Sequence, residues 1–485
     1  MIHFAASDII LIFVYFAAVM VIGFRAGRKR QAKHAAEYLL AGRSLTTPVF
    51  VMTLVSTWYG GILGVGEFSY RYGISNWVIQ GVPYYIFAIV FAFLLAKRVR
   101  ATNLATIPDK LEQSYGRPTA LLGALLTFLL MTPAPYVLML GVLLEMVTGW
   151  NILVCIILGT LATTVYLFAG GFRADVHTDI LEFFLMFIGF AIILPFAVMK
   201  YGGFSYIASN VPAQHLTWNG GNSTQFVLVW FFIALWTLVD PAFHQRCYAA
   251  ASGEVARRGI LWSVIFWVLF DLMTATAGLY ARAALPGMQQ PVMAYPLLAE
   301  AILPPVAKGL FFVGLLATIM STLNTLAFVS ATTLGRDIFL RLRRKDLLTA
   351  DGQTTGEPKE GTETASVRGG LVITGILAVV LAVLIPSVIK LWYAIGTVIV
   401  PGLLIPLVTA YFERTRIGAR WAYASMLFGW LTSLVWLLAG WSGGLGATDL
   451  YPLGIEPMYP GLVVSAAFWG VGRWMKQDEK SRPMF

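Results

Sequence analysis

The strongest constraint on this chain is the recurrence of apolar runs about twenty residues long, separated by short polar connections. Thirteen are read, the first at about residues 7–24, the second at about 47–68 and the last at about 457–475. Hydrocarbon offers backbone amides no water to bond, so runs of this length must satisfy their own hydrogen bonds and are expected to be helices. The composition agrees: 58% of the 485 residues are hydrophobic, 12% are charged and the mean hydropathy is +0.75. An all-α, multi-pass protein of the cell membrane (plasma or inner) is expected, with membrane lipid as its solvent.

The net charge of +10 is explained by where the basic residues fall. With the first loop placed inside, segments 25–46, 97–118, 170–178, 251–258, 335–368, 412–420 and 472–485 hold 28 of the 34 Lys and Arg. That asymmetry predicts an amino terminus outside and a carboxyl terminus inside, and it removes the need for a nucleic-acid partner. The segment at about 341–368 is too polar to fold alone and reads as a flexible cytoplasmic linker. A single transmembrane domain spanning 1–485 is expected, and nothing in the sequence requires an oligomer.

Two spans look broken. Gly60, Gly61, Gly64 and Gly66 crowd into the second run, where a regular helix is weakened and carbonyls are released. Asp240 and Pro241 interrupt the seventh, at about 224–250, and proline there removes a ladder bond. Irregular backbone at membrane depth persists only against protein or a water-filled cavity, so both breaks should line a site. They fall five spans apart, which predicts two inverted five-helix repeats, within about 47–200 and 224–441, flanked by extra helices at about 7–24 and 457–475.

The ninth run carries Thr318, Ser321, Thr322 and Thr325 on one helical face, beside Asn324. Such a stripe can offer oxygen to a hard cation such as sodium, although each hydroxyl taken alone can equally bond its own upstream carbonyl. The two cysteines, Cys155 and Cys247, lie in apolar segments, and the five histidines have no metal-ligand spacing. No nucleophile motif is present, so an enzyme is not expected.

Several motifs, in order along the chain, resemble the solute:sodium symporter family of sodium-coupled proline, sialic acid, pantothenate and sugar carriers. They are AGRSL (Ala41 to Leu45), AGGFRADVHTD (Ala169 to Asp179), HQRCYAAASGEVARRGI (His244 to Ile260) and the ATIMSTLNT run around Ser321. The resemblance implies a LeuT-type fold and import of a small polar solute (an amino acid, sugar or organic acid) by alternating access, driven by sodium. It further implies a sodium ion held by the carbonyls of Ser56, Tyr59 and Thr318 and the hydroxyls of Ser321 and Thr322.

Some relatives add a second sodium, here matching Asp179 with the Thr318 hydroxyl and the two after it. Asp179 reads equally as a helix cap, because Asp-x-x-Glu opens an apolar run. For the solute, the resemblance points to Gln80 and Asp240, with Trp58, His244, Trp392 and Tyr393 as further contacts. Asp240 can instead cap the half-helix after Pro241, and Trp58 stands where the proline carriers have an aspartate. Asp271 finds no place in this scheme. The alternatives are a solute sensor built like a transporter and a proton-coupled symporter of the same fold.

Overall fold

The computed structural model describes residues 2–28, 35–343, 361–385, 388–440 and 451–481. Residues 344–360, most of the expected linker, lie outside the described residues. The principal helices run in chain order. The first group is α1 (Ala6–Arg28), α2 (Thr47–Trp58), α3 (Ile62–Tyr72), α4 (Val82–Leu94), α5 (Ile107–Tyr115) and α6 (Arg117–Leu130). Next come α7 (Ala134–Thr148), α8 (Ile152–Tyr201), α9 (Thr224–Ile233), α10 (Trp236–Val239), α11 (Pro241–Ala249) and α12 (Gly253–Ala284). The last are α13 (Ala307–Thr332), α14 (Thr362–Leu384), α15 (Val388–Ala410), α16 (Ala419–Ala439) and α17 (Met458–Ser481). A lone bridge pairs Leu45 with Ala250, joining two of the motifs quoted above.

Among the described residues, ten helices are long and apolar enough to cross a membrane, or eleven when the bent pair α2 and α3 is taken as one span. The expected count was thirteen. The difference arises at two places. At 50 residues, α8 covers both expected runs 150–169 and 179–200, and its helical geometry breaks between them at Gly171, with φ 57° and ψ −148°. A Cβ there would also fall 2.6 Å from the Tyr38 carbonyl, so glycine serves both the turn and the close approach. The last expected run lies in α17, which is helical but is not among the ten.

The hydroxyl-bearing α13 is the centre of the bundle. Every residue from Phe311 to Thr332 is buried, whereas α1, α14 and α16 expose apolar side chains such as Phe13, Ile376 and Val435 on the outside. A helix apolar all round belongs in the interior of a bundle, and one with an exposed apolar face suits lipid. The largest packing partner of α13 is α8. Their axes approach closely at Gly189 and Gly314, where a Cβ on either would lie within 3.0 Å of the other's Cα.

Both predicted breaks are present. Helices α2 and α3 meet at Tyr59 to Gly61 with a bend of 59°. Helices α10 and α11 are separated by Asp240, whose backbone is extended at φ −64° and ψ 116°. Pro133 likewise interrupts the fourth expected run, between α6 and α7.

Candidate functional site

The first break is held by α13. In a continuous helix the Gly60 amide would donate to the Ser56 carbonyl four residues back. Here it donates to Thr322 Oγ1 at 2.8 Å, and the Thr322 hydroxyl donates to the Thr57 carbonyl at 2.5 Å. Carbonyls at the end of α2, Ser56 among them, are thereby released from the usual ladder. A Cβ on Gly60 would fall 2.2 Å from Thr322 Cβ, so the approach requires glycine.

Ser321, one position earlier on α13, donates to Asp179 Oδ1 at 2.6 Å. A hydroxyl has one proton and two lone pairs. With their protons engaged, Ser321 and Thr322 keep oxygen lone pairs for a hard cation beside the freed carbonyls.

The hydroxyl stripe is not used uniformly. Thr325 donates to Asp175 Oδ2 at 2.7 Å, in line with an outward-turned hydroxyl. Thr318 differs from expectation, because its hydroxyl turns back to the Gly314 carbonyl at 2.6 Å, four residues upstream on its own helix. As with Ser321 and Thr322, this engages only the Thr318 proton and leaves its oxygen lone pairs, so the expected second set of Asp179 with the Thr318, Ser321 and Thr322 hydroxyls keeps all its oxygens.

Asp179 is also engaged by a residue the sequence reading passed over. Arg246, fully buried on α11, places Nη2 3.4 Å from Asp179 Oδ2 and 3.5 Å from Asp175 Oδ2. The same nitrogen reaches Thr53, Thr57 and Thr325 Oγ1 at 3.1, 2.8 and 2.7 Å, and Thr53 also donates to Asp179. Asp179 sits inside α8 and does not cap a helix start. Residues from α2, α8, α11 and α13 therefore meet at one buried charge cluster. The signal available beforehand was the spacing of Asp175, Asp179 and Glu182 on one face of a helix, together with a lone arginine in an apolar run.

A cavity with about 990 Å³ of empty space, part of it open to solvent, lies against this junction. Both breaks contribute to its wall: Trp58, Tyr59 and Gly61 from the first, Trp236, Asp240 and Ala242 from the second. Thr57 and Thr322 line it too, so the junction between α2 and α13 and the cavity share a border.

Asp240 caps a helix and lines the cavity at once. Its Oδ1 accepts from the Ala242 and Phe243 amides at 2.7 and 3.0 Å, capping α11, while the residue lines the cavity. Gln80, in the π-helical turn Trp77–Gly81, and Trp392 also line it. Trp392 covers the glycine break, since a Cβ on Gly61 would fall 1.9 Å from its Cη2. Trp58 packs edge-on to Tyr84 and Phe243 at centroid distances of 5.1 and 5.4 Å.

Two expected solute contacts are not on the cavity wall. His244 is buried, with Nδ1 2.9 Å from the Asp240 carbonyl oxygen and the ring edge-on to Phe91. Tyr393 donates to Glu456. One helical turn places His244 near Asp240, but on the backbone side of it. The unplaced Asp271 does line the cavity, where it accepts a hydrogen bond from Tyr85.

Comparison with known proteins follows the same lines. Residues 38–429 match the sequence model of the Sodium:solute symporter family. The chain is 27% identical over 482 residues to the sodium/pantothenate symporter of Escherichia coli (strain K12), covering 94% of each protein. It is 24% identical over 496 residues to the osmoregulated proline transporter OpuE of Bacillus subtilis (strain 168), again covering 94% of each. A solved structure of a Na+-coupled sialic acid symporter, substrate-bound and outward-open, superposes with a TM-score of 0.77 at 16% identity, covering 98% of each chain.

Proposed function

Because the chain belongs to the sodium:solute symporter family, we propose that it binds its coupling ion where the broken end of α2 meets α13 and its solute in the adjoining cavity. It is a multi-pass cell-membrane protein with a LeuT-type fold, and it carries out sodium-coupled symport of small organic solutes. The observation that carries the site assignment is the junction itself. Thr322 and Ser321 hold their protons on the Thr57 carbonyl and Asp179, and the lone pairs they keep, beside carbonyls freed at the end of α2, support a cation site there. Ser56, Tyr59 and Thr318 would supply carbonyl oxygen, and Ser321 and Thr322 hydroxyl oxygen.

Asp179 acts in this reading as an anchor for Ser321 and Arg246. Trp58, Gln80, Asp240 and Trp392 face the solute, and His244 and Tyr393 support the wall from behind. Thirteen crossings with the amino terminus outside, and inverted repeats within 47–200 and 224–441, complete the proposal.

The chemistry is differential affinity and forms no covalent bond. An ion that ties α2 to α13 favours one arrangement of the two breaks and raises solute affinity there; an ion binding all arrangements equally would shift nothing. One sodium ion crossing about 100 mV supplies about 2.3 kcal/mol. A tenfold gradient adds about 1.4 kcal/mol, enough together for a solute ratio of several hundred.

The test is a thermal-shift screen of solutes in sodium against potassium, with the hits carried to uptake by proteoliposomes. Symport predicts uptake that stops when the sodium gradient is collapsed. Binding without uptake would overturn it.

A further inference from the structure

The composition of the cavity wall selects among solute classes. Among the described residues that line it, two are acidic, Asp240 and Asp271, and none is Lys, Arg or His. Eight of the other lining residues are aromatic, including Trp58, Tyr84, Tyr136, Trp230, Trp236 and Trp392. An anionic solute would enter such a wall unpaired, at a high desolvation cost.

Three backbone amides at the two breaks are already engaged. Asp240 Oδ1 holds the Ala242 and Phe243 amides at the start of α11, and Thr322 holds the Gly60 amide at the first break. The Trp392 ring covers Gly61, at the start of α3.

A polyol could use the Gln80 amide on this wall, but it finds the hydroxyls of the junction taken. The Thr57 and Thr322 hydroxyls are committed to the Arg246 cluster and to the helix break, and the Tyr59 hydroxyl donates to the Trp267 carbonyl at 2.9 Å. Aromatic faces, in contrast, carry negative quadrupole potential and attract a desolvated cation, and a carboxylate beside them supplies the counter-charge.

We propose that the solute is a small organic cation whose ammonium group sits among these rings with Asp240 and Asp271 as its counter-charges. The proposal rests on the reading of this cavity as the solute site. Each import cycle then carries the positive charge of the solute along with that of sodium, so the membrane potential drives both.

The test compares ligands of one shape and different charge by calorimetric titration of the purified full-length protein in saturating sodium. The probes are choline, its neutral carbon isostere 3,3-dimethylbutan-1-ol, and the anion 3,3-dimethylbutanoate. Choline is expected to bind about tenfold or more tightly than the isostere, with the anion weakest. Asp240→Asn keeps the helix cap, since asparagine also caps, and together with Asp271→Asn is expected to bring choline and the isostere within about threefold of each other.

Equal or tighter binding of the isostere or the anion by the wild type would overturn the proposal, as would an unchanged choline preference in both variants. The sodium-induced rise in melting temperature is measured in the same samples. If it persists while the charge preference fails, only the solute class is wrong; if sodium has no effect, the ion-site reading fails as well.

Discussion

The Gly60 amide and the Thr322 hydroxyl meet at 2.8 Å across the gap between the second and ninth expected spans. The same hydroxyl reaches the Thr57 carbonyl at 2.5 Å, so one threonine of α13 takes the place of the helical turn that α2 lacks. Binding an ion here fixes the position of one helix against another, which is what coupling needs.

That contact predicts the behaviour of Gly60→Ala. The added methyl would lie 2.2 Å from Thr322 Cβ and 2.4 Å from its Oγ1, both packed inside the bundle. The two elements must separate, and apparent sodium affinity should fall about tenfold or more, in line with the ~1–3 kcal/mol cost of leaving the Gly60 amide unpaired. Sodium titration of the melting temperature checks this, with an unchanged midpoint as the contrary result.

Among the described residues, Arg246 is the one cation that pairs with Asp175 and Asp179. Arg246→Gln leaves two buried carboxylates facing one another and should cost about 3–5 kcal/mol of stability. Asp175→Asn in that background removes one of the charges and should restore part of the loss. Melting curves of the single and double variants in detergent measure the coupling, and strictly additive losses would contradict it.

At the other end of α13 lies a second buried ion network. Asp109 on α5 accepts from Arg336 and Arg341, each at 2.8 Å. Burial by itself would raise the Asp109 carboxyl, but the two guanidinium groups outweigh it and hold the group below the usual carboxylate range. Asp109 therefore stays charged through pH 5 to 8, and the tie between α5 and the segment 333–343 that follows α13 does not weaken there. Asp109→Asn should loosen it, so a cysteine placed at buried Thr332 should be alkylated several-fold faster than in the parent. Equal rates would contradict the tie.

Glu456 predicts a pH effect. Burial pushes its carboxyl up to about 7, and Tyr393 donates to it. An acid raised in the folded state favours the protonated form, so its contribution to stability declines as pH rises from about 4.3, the ordinary value, to about 7, and is lost above that. The melting temperature should fall between pH 5 and 7 and level off by pH 8. Glu456→Gln should flatten the profile, and a variant that follows the wild-type curve would contradict the assignment.

Features governed by local chemistry were legible in the sequence. The breaks at Gly60–Gly61 and Asp240–Pro241 appear where expected because glycine and proline weaken a helix through their own backbones. Features that depend on distant contacts were not legible. Spacing alone could not tell that Thr318 turns back to Gly314 while Ser321, on the same face, reaches Asp179. Arg246 meets Asp179 across 67 positions of sequence; the acidic spacing and the lone arginine each mark a buried charge, but not that the two pair. His244 falls within one turn of Asp240, yet hydrogen-bonds its carbonyl and lies off the cavity wall, because helical spacing sets proximity and not which group is met.

The most direct measurement is equilibrium binding of radioactive sodium to the purified protein, compared among wild type, Ser321→Ala and Thr322→Ala. Saturable binding is predicted for the wild type, with affinity about tenfold or more weaker in each variant while the yield of folded protein falls far less. Unchanged sodium affinity in both variants would contradict the placement of the ion between α2 and α13.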